Sequence, residues 1–143
     1  MASFRRFEDI ECWQLARKLD NELYPFTKTN GFERDFNLKD QILKSSGSIM
    51  DNICEGFSRR GNKEFVRFLS YSHGSAGEIQ SQLCRAMDRG YISNQQFQSL
   101  YTQAKTVERK LGSLMGYLDS SDYKPNYQRK NNEIRDVNTE PGT

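Results

Sequence analysis

Apolar residues recur at three- and four-residue spacings from about Phe7 to Leu118, and this period predicts four helices. The first covers about Phe7–Thr29, with the stripe Cys12, Leu15, Leu19, Leu23 and Phe26 widened by Ile10, Trp13 and Ala16. Pro25 either ends it early or kinks it, and Thr29-Asn30-Gly31 supplies a turn. The second covers about Phe36–Phe57 on Leu38, Ile42, Ser45, Ile49, Ile53 and Phe57, with Gly61 expected as the left-handed residue that closes it. Asn62 is the expected N-cap of the third, which runs to about Arg89 on Phe65, Leu69, Ser72, Ala76, Ile79, Leu83 and Ala86, with Gly90 as the stop. Gly74 and Gly77 each disfavour a helix by about 1 kcal/mol relative to Ala, which points to a close backbone contact there. The fourth opens on the capping box Ser93 and Gln96 and continues as Phe97, Leu100, Ala104, Val107, Leu111, Leu114 and Leu118.

Runs rich in Val, Ile and Thr are missing, so strands are not expected. Four helices joined by short turns make an all-α, antiparallel, up-down-up-down four-helix bundle. The bundle is expected over residues 1–119. Residues 120–143, rich in Asn, Asp, Lys, Arg and Pro, read as a polar, disordered tail.

No apolar run reaches the roughly 20 residues that span a bilayer, and the start of the chain lacks a signal-peptide stretch, so a cytoplasmic protein without a membrane role is expected. The chain has 21 basic and 19 acidic residues, a formal charge of +2. Nucleic-acid affinity would therefore need clustering, or repetition of one patch around an oligomer. Arg59, Arg60, Lys63 and Arg67 do cluster at the turn between the second and third helices, and Arg5 and Arg6 form a smaller group. Two readings stay open for them: a solvated turn diluted by Glu55 and Glu64, or a phosphate-attracting patch.

Catalytic chemistry is poorly provided for. His73 is the sole histidine and lies off the apolar stripe of its helix. No phosphate-binding glycine loop and no Glu-x-x-His pair occurs, so neither an enzyme nor a cofactor is expected. Cys12, Cys54 and Cys84 are too widely spaced for a zinc site and read as buried thiols. Two polar flanks remain: Gln41, Ser45, Ser48, Asn52 and Glu55 on the second helix, and Tyr71, Ser75, Glu78 and Gln82 on the third. They are placed to exchange hydrogen bonds, either to fix helix register or a subunit contact, or to hold a ligand. Tyr71, Tyr91 and Tyr101 are either scattered surface residues or a second adhesive face.

The block Ser48-Ile-x-x-Asn-Ile-x-Glu-Gly-x-x-Arg59, then Lys63-Glu-Phe-x-x-Phe-Leu69 and Gly74-Ser-x-x-Glu78, resembles the four-helix bundle protein family, whose members were first noted as reading frames in intervening sequences of bacterial 23S rRNA genes. Phe7-Glu-Asp-Ile-Glu-Cys-Trp13-Gln-Leu-Ala16 and Gln41-Ile-x-Lys-Ser-Ser-Gly-Ser-Ile49 fit the same pattern, and the resemblance covers about residues 4–118. It implies a bundle that assembles as a ring, typically a homopentamer, without known enzymatic activity. A related branch, the accessory variability proteins of diversity-generating retroelements, implies a reverse transcriptase and RNA or DNA as partners, bound through basic surfaces. This chain is less basic than that branch. Asn52, Glu55, Gly56, Gly74, Ser75 and Glu78 match the family signature and are assigned to packing and assembly.

Overall fold

Among the described residues backbone hydrogen bonding is mostly helical, and the helix ends show how the sequence sets the boundaries. The computed structural model describes residues 4–120. A single 3₁₀ turn (Phe7–Asp9) leads into α1 (Glu11–Phe26). A second 3₁₀ turn (Phe32–Arg34) leads into α2 (Phe36–Ser58), followed by α3 (Asn62–Asp88) and α4 (Asn94–Ser120). No strand occurs among the described residues. The expected tail, 120–143, lies outside them apart from Ser120, which closes α4.

Asp35 caps α2 by accepting from the Leu38 N–H at 3.2 Å. Ser93 and Gln96 form the expected capping box, each side chain accepting from the other's backbone N–H, at 2.8 and 3.1 Å. Pro25 sits in the last turn of α1, where the helix stops one residue later.

Two expected boundary roles are exchanged between neighbours. Gly61 is extended, with φ 177°, and Arg60 takes the left-handed conformation at φ 51°. Asn62 is not the N-cap of α3 but its first residue. The Gly61 carbonyl accepts the first helical bond, from the Phe65 N–H at 2.9 Å. The Asn62 amide instead donates to the Leu118 carbonyl at 3.4 Å, serving one of the carbonyls that the end of α4 leaves without a helical partner.

Each helix packs on its sequence neighbours, and α1 also packs on α4, closing the up-down-up-down bundle. The start of α1, the α2–α3 turn and the end of α4 therefore share one end of the bundle, the entry end. The α1–α2 connection and the α3–α4 turn share the other, the connection end. Every stripe residue predicted on α2, α3 and α4 is buried. On α1 the centre of the stripe, Cys12, Ala16, Leu19 and Leu23, is buried, while Leu15 and Phe26 are half-buried at its margins.

Three further expectations are corrected. A Cβ on Gly74 would meet nothing within 4 Å among the described residues, and one on Gly77 would meet only Glu108 Oε2 at 3.8 Å, so no described backbone approaches them. Gly74 is two residues from both Ser72 and Ala76 and so faces directly away from the core. The close approach is at Gly56, where a Cβ would lie 2.8 Å from Phe68 Cβ and 3.2 Å from the Phe65 carbonyl oxygen. Of the thiols only Cys12 is buried, and burial pushes it up to about 12; Cys54 is half-buried, and Cys84 is exposed on the outer side of α3. Tyr91 is not a surface tyrosine. Its ring stacks on the buried Phe32 with centroids 5.1 Å apart, and its hydroxyl donates to Asp35 at 2.8 Å. Tyr101 is half-buried against Phe97, and Tyr71 alone of the three is exposed.

Candidate functional site

The polar flanks meet along the α2–α3 seam. Ser72 Oγ donates to the Ile49 carbonyl at 2.8 Å, and Ser75 Oγ donates to Ser48 Oγ at 3.0 Å. Further along, the Gln82 amide donates to Ser45 Oγ at 3.1 Å, and Ser45 Oγ donates to Glu78 Oε1 at 3.3 Å. At the far end of this ladder an Arg85 Nη donates to Gln41 Oε1 at 2.6 Å. The sequence flanks omit Arg85, although it lies three residues beyond Gln82 and so shares its face.

Not every flank residue crosses the seam. Asn52 donates to the Ser48 carbonyl and hydroxyl within its own helix, both at 2.9 Å. Glu55 turns to Arg59, and Tyr71 accepts from Arg67. Of the six signature residues, Gly56, Ser75 and Glu78 stand at the seam; Asn52 and Glu55 bond within α2, and Gly74 faces outward.

The entry end collects the basic residues that the sequence separates into two groups. Arg59 pairs with Glu55 at 2.9 Å, and Arg67 pairs with Glu64 at 2.8 Å and donates to the Tyr71 hydroxyl at 2.8 Å. The hydrogen bonds that Arg67 donates to Glu64 and Tyr71 hold its guanidinium above its ordinary range. Both guanidinium groups lie over the Phe68 ring, at 5.0 and 4.8 Å from its centroid. Phe68 is thus the organising residue of the cluster, fixed from below by its contact with Gly56. Its helical spacing from Arg67 and Leu69 gives no hint of this, because the second cation comes from α2. Arg60 and Lys63 are exposed beside them, and exposed Arg5 and Arg6 sit where the chain enters α1, Arg6 facing Glu8 and Asp9 at 3.8 and 4.0 Å.

His73 lines a broad groove between α3 and α4 with Tyr101, Lys105, Glu108, Arg109 and Gly112, among others. Glu108, which lines this groove, accepts from Gln80 at 2.9 Å. No group of three His, Cys, Asp or Glu side chains among the described residues is disposed to hold a metal ion. No described helix is long and apolar enough to cross a membrane.

Among solved structures the chain is similar to a protein of unknown function from the S23 ribosomal protein family of Bacteroides thetaiotaomicron, with a TM-score of 0.64 and 24% identity over 74% of this chain and 95% of that one. At that identity the likeness is one of fold. No functionally curated protein matches the chain. The family described as 23S rRNA-intervening sequence protein matches residues 8–113, from the first 3₁₀ turn to the last turns of α4. With both signature helices inside that match, the chain belongs to the 23S rRNA-intervening sequence protein family.

Proposed function

We propose that this protein is a non-enzymatic, cytoplasmic bundle that self-associates, five copies to a ring, and acts as an accessory factor on RNA, supporting a nucleic-acid enzyme such as a retroelement reverse transcriptase. The observation that carries this reading is the gathering of Arg5, Arg6, Arg59, Arg60, Lys63 and Arg67 at one end of the bundle. Part of that charge is answered by Glu8, Asp9, Glu55 and Glu64. One copy therefore attracts phosphate weakly, and a ring that repeats the patch raises the local field. The family description adds the RNA context.

Self-association is supported by the outer side of α3. There Gly74 sits with exposed Ser70 and Ser81, and nothing among the described residues explains a glycine inside the helix. A second copy approaching this side would. In an isolated chain Gly74→Ala stabilises the helix by roughly 1 kcal/mol. In a closely packed assembly the same change lowers the mass measured by light scattering.

The nucleic-acid arm is tested by fluorescence anisotropy on a structured RNA across a salt series. The logarithm of affinity falls linearly with the logarithm of salt. Replacing Arg59, Arg60 and Lys63 by Ala, with Arg67→Ala paired to Glu64→Gln so that no buried carboxylate is stranded, reduces both affinity and slope. Unchanged binding removes the site assignment.

A protein-docking role without nucleic-acid contact has its own observation in its favour. At the connection end Phe36 is 66% and Tyr24 48% exposed. A partner that remains bound after nuclease treatment, through a surface broken by Phe36→Ser, would favour that second reading.

A further inference from the structure

Three large hydrophobic side chains are exposed among the described residues. Tyr24 and Phe36 lie at the connection end, whereas Tyr71 stands on α3 one turn beyond Arg67, beside the basic entry end. Tyr71 is fixed at two points. Its hydroxyl accepts from an Arg67 Nη at 2.8 Å, and its ring meets that of Phe68 in a T-shape, with centroids 5.5 Å apart and planes at 82°. Arg67 is itself clamped by Glu64, which accepts from Nε at 3.3 Å and from the other Nη at 2.8 Å. Glu64 is buried, so the clamp is anchored in the bundle rather than in solvent. The Arg59 guanidinium, over Phe68, completes the layer from the α2 side. The result is a flat ring held in place, with the residue still 45% exposed.

A side chain ordered before its ligand arrives loses little entropy on binding, so such a ring is suited to recognition. The surrounding charge selects the ligand. Between Glu55 and Tyr71 the chain carries four cations, Arg59, Arg60, Lys63 and Arg67, against two carboxylates, Glu55 and Glu64. Those carboxylates pair with Arg59 and Arg67, and Arg60 and Lys63 are exposed. Lys63 lies two turns from Tyr71, about 12 Å along the helix axis at 1.5 Å per residue. A nucleotide uses both features, its base on the aromatic face and its phosphate on the cations. An apolar peptide side chain uses only the ring, and a free phosphate only the cations. In duplex RNA the base faces are covered by their neighbours in the stack, so the ring can take only a base that is unpaired and splayed out.

We propose that Tyr71 is a stacking platform for an unpaired base of single-stranded RNA, with Arg60 and Lys63 meeting the flanking phosphates and the Glu64–Arg67 pair positioning the ring. This rests on the RNA reading above and gives it a preference for unpaired strands, which phosphate attraction alone does not supply.

The test uses the full chain and two labelled single-stranded RNAs of equal length, one of uridine throughout and one with an abasic ribose at every second position. Their phosphate charge is the same, so the affinity ratio isolates the bases. The intact strand should bind about tenfold more tightly, the scale of one base–aromatic stack. Tyr71→Leu removes the ring and brings the ratio toward one, with helicity by circular dichroism unaltered. Tyr71→Phe keeps the ring, loses only the bond from Arg67 and retains most of the ratio. Equal binding of both strands by the parent protein overturns the stacking assignment while the RNA reading stands. Failure to bind either strand overturns both. A loss in Tyr71→Phe as large as in Tyr71→Leu would mean that Tyr71 acts only by steadying Arg67, which overturns the platform. A Tyr71→Leu protein whose assembly mass changes by light scattering would place Tyr71 between copies, and that too overturns it.

Discussion

The two ends of the bundle use charge in opposite ways. At the connection end the Asp35 carboxylate ties the start of α2 to the α3–α4 turn: it accepts from Leu38 N–H, the Tyr91 hydroxyl and Arg89, at 3.2, 2.8 and 2.8 Å. Phe32 lies fully buried beneath, stacked on Tyr91. At the entry end the pair Glu64–Arg67 lies within α3, and Glu55–Arg59 joins α2 only to its own C-cap residue, so they tie no separate elements together. Instead they steady two guanidinium groups over Phe68 while Arg60 and Lys63 stay exposed. Ionic bonds between elements hold a fold in register, whereas pairs within a helix arrange charge on a surface. If the proposed RNA binding holds, changes at the connection end should therefore move stability and leave RNA affinity alone, and changes at the entry end should move affinity.

The sharpest break of that contrast is Phe32→Ala. It empties a fully buried aromatic site and removes the partner of Tyr91, for an expected loss of about 3–5 kcal/mol by urea denaturation. RNA affinity at a temperature where the variant stays folded should match the parent. A variant that loses affinity in proportion would show that the two ends are coupled. Gly56→Ala comes next. Its Cβ would meet Phe68 Cβ at 2.8 Å, with the Phe65 ring carbon at 3.1 Å and carbonyl at 3.2 Å, and rigid backbone cannot yield as a side-chain tip does. Overpacking there costs about 1–3 kcal/mol. Because Phe68 carries both guanidinium groups, this entry-end change should lower stability and RNA affinity together.

The bundle itself was legible because the stripes on α2, α3 and α4 follow the helical period with few interruptions, and burial of an apolar face is what fixes a helix in place. The hydrogen bonds across the α2–α3 seam were legible for the same reason: positions such as Ser45, Ser48, Ser75, Glu78 and Gln82 flank the stripes at three- and four-residue spacing. Features that depend on contacts between distant segments were not. Tyr91 looks exposed until Phe32, far away in the chain, slides under it. Phe68 looks like an ordinary flank residue until Arg59 arrives from α2. Gly56 and Gly74 are equivalent in sequence terms, each a glycine inside a helix, yet one meets a neighbouring side chain and the other open space. At the α2–α3 turn the rule that glycine takes the left-handed position is overridden by Arg60.

That exchange supplies the next prediction. A non-glycine residue in the left-handed region is disfavoured by roughly 1 kcal/mol or more, so Arg60→Gly should raise stability by about 1 kcal/mol. It also removes one cation from the entry end, so the salt slope of RNA binding should fall by about 1. Stability and affinity moving in opposite directions from one substitution would mark the strained arginine as retained for its charge. A drop in both would mean that the Arg60 side chain supports the turn.

The smallest effect sharpens the other side of the comparison, through pH. The bonds from Tyr91, the Leu38 N–H and Arg89 hold the Asp35 carboxyl below its ordinary value of 3.8. A carboxyl depressed in the folded state contributes stability that is fully present above its unfolded value and is lost as pH falls through the folded one. The Asp35 tie therefore persists at neutral pH and weakens only in acid, below about pH 4. Tyr91 is shifted the other way, raised from 10.0 mainly by its bond to Asp35, so its contribution is present below that value and fades as alkali ionises the folded phenol. Urea midpoints measured down an acid series should fall faster for the parent than for Asp35→Asn, which keeps an acceptor for Leu38 and Tyr91 but has no charge to lose. Parallel curves would mean that the charge of Asp35 adds nothing to the tie, and that Phe32 and Tyr91 hold the connection end by packing alone.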